Sequence, residues 1–334
     1  PADVGLPYHL VDLQGGLTLA LPGHGRIRLV AYTGDDALDM SEQESRRTED
    51  SDAPVRLKWG WGNDVLGVRW DQPWGAWVST ARVGVSRYTE NFGMVDFDGM
   101  SFRSRLRQTF GRIDLSRTVS SASLRLGAEV GRWDARNLYG GGGATLWDEG
   151  EQGTMTGAFA QLGWRPTESW ILEPSVRVDV WAADDTSLVS LSPRLAAKRF
   201  LGEDREAAVK LAVGRYTQFL HSLKDETIPL SNDMWVLAGT DLPAVVSDQV
   251  QVGVEKFWGD RWSASVEAYH REFRGLVAFN NNDDVNDPHD DYVTGTGRSY
   301  GLDLLVRKSS GRWTGWTTVS LLKAERTFAD PLAI

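Results

Sequence analysis

The stretch that decides the fold is residues 261–273, RWSASVEAYHREF, in which apolar and polar side chains alternate. One parity carries Trp262, Ala264, Val266 and Ala268, and the other carries Ser263, Ser265, Glu267, Tyr269 and Arg271. A repeat of two residues is the pattern of a β-strand that has one apolar face and one wet face. The stretch therefore predicts a long strand whose two faces meet different surroundings.

The residues on either side of this stretch extend the pattern. Before it, residues 247–258 alternate in the same way, with valine at every second position from 250 to 254. Only the Gly-Asp pair 259–260 lies between the two strands, and these residue types reverse the backbone in hairpins. A long polar loop, 277–295, follows. This unit of strand, short turn, strand and long loop is repeated almost from end to end of the chain.

The whole chain contains about fourteen stretches with strand character. They lie at 7–21, 26–35, 54–70, 75–90, 101–115, 122–136, 153–166, 169–183, 188–201, 206–219, 247–258, 261–276, 296–308 and 312–327. We find no stretch with convincing helical periodicity, so the sequence predicts an all-β, antiparallel chain.

The connections between the strands fall into two classes that alternate along the chain. The short turns are 22–25, 71–74, 116–121, 166–168, 202–205, 259–260 and 309–311. The longer polar connections are 36–53, 91–100, 137–152, 220–246 and 277–295, with 184–187 as a short exception. A transmembrane barrel has this asymmetry because its two rims face different compartments, whereas a soluble sandwich has no reason for it.

Tryptophan supports the same interpretation. The chain has 15 tryptophans, and several flank the short turns: Trp70, Trp74, Trp77, Trp164, Trp170, Trp258, Trp262, Trp313 and Trp316. Amphipathic rings at one end of the strands form the girdle of a membrane interface. The alternative is a set of turn-flanking hydrophobic clusters in a soluble barrel; the alternation of connections favours the girdle.

Composition excludes several function classes. The net charge of −10 argues against a nucleic-acid partner. The chain has no cysteine, so disulfides and thiolate metal sites do not arise. The five histidines are scattered, and there is no nucleophile elbow, histidine pair or phosphate loop, so we do not expect an enzyme.

Several stretches in a fixed order resemble the barrel of a known membrane-protein family. They are YHLVDLQGGLTLAL at 8–21, WGN at 61–63, LGVRW at 66–70, LSPRL at 191–195, AVGRYTQ at 212–218, VQVGVEK at 250–256, SASVEAYHREF at 263–273, SYGLD at 299–303 and GWTTVSLLKA at 315–324. The set resembles the TonB-dependent receptors of the Gram-negative outer membrane.

The resemblance implies an antiparallel up-and-down transmembrane β-barrel of about 22 strands, of which about fourteen are present here. We therefore expect 1–334 to be a single partial barrel domain, with the plug domain and the flanking strands outside it. The implied function is active uptake of a scarce, bulky small-molecule substrate, such as a metal chelate, cobalamin or an oligosaccharide. The implied partners are outer-membrane lipid, lipopolysaccharide and, through the plug, an inner-membrane energy-coupling complex.

Two alternatives to active uptake stay open. One is a passive porin-like channel of the outer membrane, and the other is a binding surface on a soluble β-structure. The wet parity of the strands carries charges of both signs, which suits a hydrated lumen. The lumen-lining candidates are Arg125, Glu129, Arg177, Asp179, Arg194, Lys198, Glu267, Arg271, Asp303 and Arg307. They serve to solvate the interior, to contact a plug or to bind substrate.

The acidic loops supply the remaining candidate site. Within 277–295 the candidate ligands are Asp283, Asp284, Asp287, Asp290 and Asp291. Dense carboxylate oxygens can hold Ca²⁺, although the spacing does not fit an EF-hand and a solvated loop is the simpler interpretation. Loop 36–53 is similarly acidic, and such loops can bind lipopolysaccharide through divalent cations. No other cofactor is expected.

Overall fold

Fourteen strands of the chain form one antiparallel sheet in the computed structural model, which describes residues 7–41, 56–96, 98–224, 233–280 and 291–328. The strands are β1 (Tyr8–Ala20), β2 (Arg26–Asp39), β3 (Leu57–Trp74), β4 (Trp77–Met94), β5 (Met100–Val119), β6 (Ala122–Gly141), β7 (Ala144–Trp164), β8 (Trp170–Ala183), β9 (Thr186–Leu201), β10 (Ala207–Gln218), β13 (Val245–Trp258), β14 (Trp262–Phe279), β15 (Tyr292–Lys308) and β16 (Gly315–Phe328). Two short strands, β11 (Leu220–Leu223) and β12 (Met234–Leu237), pair separately.

The topology confirms the predicted all-β, up-and-down arrangement. Each strand of the large sheet pairs with its neighbour in the chain, except that β10 pairs with β13 across the two short strands. β1 and β16 are the two edges of the sheet in the described residues. A single 3-10 turn, Pro22–His24, joins β1 and β2. No helix in the part of the chain that the structure describes has both the length and the apolar character that a membrane crossing needs.

The strand register gives the sheet one continuous apolar face. Leu304 lies opposite Val266, Val266 opposite Val254, and Val254 opposite Val209. Nine apolar residues of five strands share this face: Leu124, Leu126, Val176, Val178, Val252, Val254, Val266, Leu302 and Leu304, as well as their register partners on the strands between them. These side chains are exposed, with Val254 at 54%. An exposed apolar surface that crosses so many strands belongs in contact with lipid rather than water.

The strands extend further than predicted at the rim opposite the short turns. The predicted loop 137–152 is wrong: β6 runs to Gly141 and β7 begins at Ala144, so Gly142 and Gly143 alone form the turn. Both glycines have positive φ, at 61° and 76°, which a tight hairpin of this hand requires. β7 has 21 residues, although about 9–11 suffice to cross a bilayer, so its outer end stands beyond the membrane.

The tryptophans that flank the short turns lie together at one rim, as predicted. Trp74 lies opposite Trp77, and Trp258 lies opposite Trp262, across two of the turns. Trp74 is 58% exposed on the apolar face. Trp316 departs from the pattern because the register places it opposite Arg307, on the wet parity.

The predicted loop 220–246 contains the two strands that sequence reasoning missed. We call residues 219–244 the inserted segment; the structure describes 219–224 and 233–244 of it. β12 contacts β5, β6 and β7, whereas β11 contacts β14. β5 and β14 are separated by six strands, which is about 34 Å in a flat sheet at about 4.8 Å per strand. A segment this short reaches both, so the sheet curls around it, with the wet face inside.

Candidate functional site on the inner wall

The first feature of the inner wall is a cluster of ion pairs on β5, β6 and β8. Glu129 Oε2 accepts from Arg112 Nη1 at 3.1 Å and from Arg177 Nη1 at 3.4 Å, so it bridges the two arginines. Arg112 also pairs with Asp114 at 2.9 Å, and Arg177 pairs with Asp179 at 2.6 Å. These four ion pairs thus join β5, β6 and β8 through side chains of alternating charge.

Asp114 is the most heavily paired carboxylate of this cluster. It is 4% exposed and pairs with Arg82 at 2.9 Å, Arg112 at 2.9 Å and Arg125 at 3.1 Å. A buried charge is tolerated only when it is paired and hydrogen-bonded. Asp114 and its arginines therefore stabilise the wall rather than await a ligand.

A second cluster lies on β9, β10, β13 and β14. Glu255 pairs with Lys198 at 2.5 Å and with Lys210 at 2.7 Å. Lys210 also contacts Glu267, which accepts a hydrogen bond from Gln251. Every charged side chain in this cluster pairs with one of opposite charge, so this cluster also stabilises the wall.

Two predicted lumen residues remain available to a ligand. Arg194 lies over the Tyr216 ring at 4.1 Å, and Arg271 lies over the Tyr269 ring at 4.8 Å. Among the residues that the structure describes, neither guanidinium has a carboxylate partner. Both arginines line one depression together with the amides of Gln249 and Gln251. The depression presents several hydrogen-bond donors and two aromatic rings to the lumen.

The ten predicted lumen residues all lie on the wet parity of the sheet. Arg125, Glu129, Arg177, Asp179, Lys198 and Glu267 belong to the two ion-pair clusters. Arg194 and Arg271 line the depression. Asp303 lies opposite Glu267 and Arg307 opposite Ser263, without ion pairs among the described residues. Their part in binding substrate stays a prediction.

The predicted calcium loop falls largely outside the described residues. Asp283, Asp284, Asp287 and Asp290 are not described, and Asp291 stands just before β15, where its carbonyl accepts from the amide of Asn280 at 2.9 Å. In the described part of the chain, no group of three or more His, Asp or Glu side chains is arranged to hold a metal ion. The calcium site stays a prediction.

The inserted segment is seated on the wall by aromatic packing. Trp181 of β8 is 1% exposed, and its ring stacks on Phe219 at a centroid distance of 5.1 Å. Its indole Nε1 donates to the Ala238 carbonyl at 2.7 Å. Gly153 on the neighbouring strand leaves the space, since a Cβ there would lie 2.2 Å from the Trp181 ring. Large residues of the wall thus fit into gaps left by small ones.

Polar groups of the wall also hold the inserted segment. Asn137 Nδ2 donates to the Trp235 carbonyl at 2.7 Å, and Ser104 Oγ donates to Asn137 Oδ1 at 2.7 Å. The Leu237 amide donates to Glu151 at 2.5 Å, and the Asp233 amide donates to Glu90 at 3.1 Å. Backbone groups that the sheet does not pair are therefore satisfied by the wall.

Two titratable groups, Glu151 of β7 and His221 of the inserted segment itself, lie beyond the membrane-spanning part of the strands. Burial raises the pKa of Glu151 to about 7, with Glu149 and Asp184 adding to the rise, against the Leu237 amide, which lowers it. Burial lowers the pKa of His221, whose ring hydrogen-bonds the Pro243 carbonyl. His221 is 5% exposed, and its Nε2 has no partner among the described residues. Both groups therefore favour their neutral forms while the segment is docked.

Comparison with known proteins places this architecture in a family. A family model described as "TonB dependent receptor-like, beta-barrel" matches residues 12–331. The chain belongs to this family. TonB-dependent receptor barrels are proteins of the Gram-negative outer membrane, so the apolar face of this sheet is its lipid-facing surface. The family consists of transporters, which are not enzymes. No curated protein sequence matches the chain.

Solved structures of TonB-dependent receptors share the fold. The ferripyoverdine receptor of Pseudomonas aeruginosa, bound to ferripyoverdine, has a TM-score of 0.71 and 9% identity, over 95% of this chain and 50% of that one. The ferric yersiniabactin uptake receptor FyuA of Yersinia pestis has a TM-score of 0.69 and 10% identity, over 96% and 52%. The hemophore receptor HasR of Serratia marcescens, in complex with its hemophore HasA and heme, has a TM-score of 0.66 and 12% identity, over 91% and 52%. The chain spans about half the length of these receptors.

Proposed function

We propose that this chain is part of the barrel wall of an outer-membrane receptor for the active uptake of a scarce, bulky solute. The family match over residues 12–331 carries this proposal. A wet, curled wall beneath a folded segment suits a solute that is captured and then released inward. The chain itself contributes no catalysis.

The substrate we propose is a hydrogen-bonding molecule such as a metal chelate, cobalamin or an oligosaccharide. The depression lined by Arg194 and Arg271 supports this choice because it offers guanidinium, amide and phenol groups without committing them to ion pairs. The similar receptors named above are bound to ferripyoverdine in one case and to a hemophore with heme in another. A loop-bound Ca²⁺ at Asp283, Asp284, Asp287, Asp290 and Asp291 remains part of the proposal for the outer rim.

The proposed energy source is an inner-membrane coupling complex that acts through a plug domain. The two ion-pair clusters support this arrangement, since they give the inner wall a rigid, hydrated surface against which a plug can move. Glu129 and Glu255 each bridge two cations and so hold neighbouring strands together. In a passive channel the same wall would simply line a water-filled pore.

The test uses the full-length receptor that contains this chain, expressed in a Gram-negative host that lacks its own receptors. Uptake of a radiolabelled ferric siderophore, cyanocobalamin and maltodextrin is measured with and without an uncoupler of the proton-motive force. We expect saturable accumulation of one probe class that the uncoupler abolishes. Uncoupler-insensitive, non-saturable entry of all small solutes would instead establish the porin-like alternative.

A further inference from the structure

The two halves of the inner wall differ in what covers their glycines. From β4 to β8, aromatic rings occupy the space beside four glycines: Phe110 beside Gly84, Phe159 beside Gly127, Trp133 beside Gly131 and Trp181 beside Gly153. A Cβ added at any of these four glycines would lie within 2.8 Å of the ring. Rings packed at the density of a protein interior do not move aside. We call β4 to β8 the filled side.

From β9 to β13, small residues hollow the wall instead. Ala196 and Ala212 lie opposite each other and line the depression described above. At Gly214, an added Cβ would lie 2.9 Å from Cγ of Arg194, whose side chain crosses the glycine. A long, flexible side chain can change its rotamer and swing away. This half of the wall is therefore more adaptable than the filled side.

The hollow continues along the strands as a single groove. The depression of Arg194 and Arg271 shares Ala196, Ala212 and Gln251 with a second depression, so the two are connected. Along β9 they extend from Arg194 to Lys198, toward the short-turn rim. We call the joined depressions the groove, and its lining includes Arg194, Ala196, Lys198, Ala212, Gln251 and Arg271.

The inserted segment begins directly above the groove. Phe219 follows Gly214 by five residues. At about 3.3 Å per residue and a tilt of about 40°, this spacing is about 13 Å along the barrel axis. Phe219 stacks on Trp181, and β12 contacts β5, β6 and β7, so much of the segment packs on the filled side. A solute that has passed the segment therefore meets the groove.

Two guanidinium groups at the outer end of the groove are held ready for an anion. Arg194 lies over Tyr216 and Arg271 over Tyr269. Neither guanidinium pairs with a carboxylate in the described part of the chain. Arg194 Nε donates to the Arg215 carbonyl at 3.3 Å, which leaves its two terminal nitrogens for other partners. Stacking on a ring orients the planar fork, whose N–H groups bind carboxylate oxygens in pairs.

The balance of charge changes along the groove. At the outer end, Glu173 is the one carboxylate that lines the depression, against the two arginines, which leaves one positive charge. At the inner end, Lys198 and Lys210 are balanced by Glu255 and Glu267. The outer end therefore attracts an anion, and the inner end does not retain it.

We propose that the solute passes along the groove rather than along the filled side, and that Arg194 and Arg271 form a transit site for a carboxylate-bearing metal chelate. This inference rests on the proposed uptake and selects among its substrates. Carboxylates pair with both guanidinium forks, whereas a neutral oligosaccharide gains nothing from the unbalanced charge. The balanced lysines beyond the site then allow the chelate to move inward.

The first test compares two double variants of the full-length receptor in a host that lacks its own receptors. Arg194→Gln/Arg271→Gln removes the charges of the transit site. Arg307→Gln/Arg326→Gln is the matched control, because both arginines share the wet parity, have no ion pair among the residues described and lie outside the groove. The probes are radiolabelled iron chelated by citrate, which has free carboxylates, and by a neutral trihydroxamate. Heat-modifiable gel mobility confirms that each variant is folded.

We expect the parent to take up the citrate chelate faster than the trihydroxamate. The transit-site variant should lower the maximal uptake rate of the citrate chelate about ten- to a hundredfold, since charge-assisted hydrogen bonds are lost. Capture of the chelate by cells whose proton-motive force is collapsed should change by less than about twofold, because capture precedes transit. The control variant should match the parent in both measurements.

The second test identifies the side of passage by blocking each half of the wall. The chain has no cysteine, so Ala212→Cys places a single thiol in the groove and Gln108→Cys places one on the wet parity of the filled side. Each variant is treated with a bulky, negatively charged thiosulfonate before uptake is measured. We expect the reagent to block uptake in Ala212→Cys and to leave it unchanged in Gln108→Cys.

Four results would overturn the inference while leaving energy-dependent uptake in place. They are unchanged uptake in the transit-site variant, equal losses in both double variants, a block in Gln108→Cys but not in Ala212→Cys, and uptake by the parent of cyanocobalamin or maltodextrin but neither chelate. Entry of a small dye into uncoupled cells of the transit-site variant alone would also overturn it, since the arginines would then hold the plug. Energy-independent entry of all probes into the parent would overturn the proposed function as well.

Discussion

Trp181 of β8 and Phe219 of the inserted segment stack face to face, with ring centroids 5.1 Å apart and planes 2° apart. Trp181 belongs to the wall and Phe219 begins the segment that crosses it. Trp133 of β6 adds a second ring against Trp181 at 5.5 Å. These aromatic contacts pack the inserted segment against the inner wall of the barrel.

Replacing Phe219 with alanine should release the inserted segment without unfolding the barrel. Loss of a buried phenyl ring costs about 3–5 kcal/mol of local stability. Hydrogen exchange at the amides of Leu237 and Ala238 should therefore become much faster, while exchange within β14 stays slow. Trp164→Ala, which removes an exposed girdle ring, serves as the control. Unchanged protection of Leu237 and Ala238 in Phe219→Ala would show that the stack does not anchor the segment.

Docking of the inserted segment should weaken as the pH rises through about 7. The pKa of Glu151 is raised to about 7 in the docked state, beside Glu149, Asp184 and Tyr292. A raised carboxyl pKa contributes stability that is fully present below the ordinary pKa and lost as the pH rises through the raised one. The Leu237 amide, which favours the charged form, opposes part of this loss.

Glu151→Gln tests this dependence because the glutamine side chain stays neutral at every pH, and its carbonyl oxygen still accepts from the backbone amide of Leu237. We expect the ratio of Leu237 exchange rates, parent to variant, to increase between pH 6 and pH 8. The ratio removes the intrinsic pH dependence of exchange. A constant ratio would contradict the role of Glu151. His221 acts in the opposite direction, since its lowered pKa contributes stability that is lost as the pH falls below its ordinary value.

Arginine on the apolar face should destabilise the barrel far more than arginine on the wet face. Val178 is 42% exposed on the lipid side, and Val178→Arg near the bilayer midplane should cost about 2–4 kcal/mol. Ser175, on the same strand but the other parity, lines the lumen depression. Urea unfolding of full-length Val178→Arg and Ser175→Arg in lipid vesicles measures both costs. A greater loss in Ser175→Arg would show that the faces are reversed.

Removal of the bridging carboxylate Glu129 should destabilise the wall. In Glu129→Gln, Arg112 and Arg177 keep their aspartate partners but lose their shared charge, at a cost of about 1–3 kcal/mol. Asp303→Asn, at a wet-face position without an ion pair in the described residues, should change the free energy of unfolding by less than about 0.5 kcal/mol. Equal effects of the two substitutions on urea unfolding would argue against a structural role for the cluster.

The sequence predicted the sheet well because alternation is read residue by residue. Leu302, Leu304 and Val266 share a face in the structure as their parity requires. The outer ends of the strands were missed, since Glu149 and Glu151 on β7 resemble a polar loop once the apolar band ends. At these outer ends, β6 and β7 stay paired with each other up to the Gly142-Gly143 turn, although no apolar alternation marks them as strands.

The inserted segment was the larger omission. Its apolar run 234–238 is only five residues long, between Asp233 and Gly239, so it gave no periodic signal. Its structure depends on contacts with Trp181, Asn137 and Glu151, which lie on three neighbouring strands that are far from the segment in the sequence. Spacing along the sequence does not show which side chains meet in the lumen. For this reason the sequence did not predict that Glu129 pairs with both Arg112 and Arg177.

The most direct test of the two-faced membrane wall is a cysteine scan of β14, within the stretch where the alternation is clearest. The chain has no cysteine, so each introduced thiol is the only one within it. Single cysteines at Ala264, Ser265, Val266 and Ala268 of the full-length receptor in outer-membrane vesicles are treated with a small charged thiosulfonate. We predict rapid labelling at Ser265 and protection at Ala264, Val266 and Ala268. Rapid labelling at all four positions, or protection at Ser265 alone, would contradict a wall with lipid on one face and water on the other.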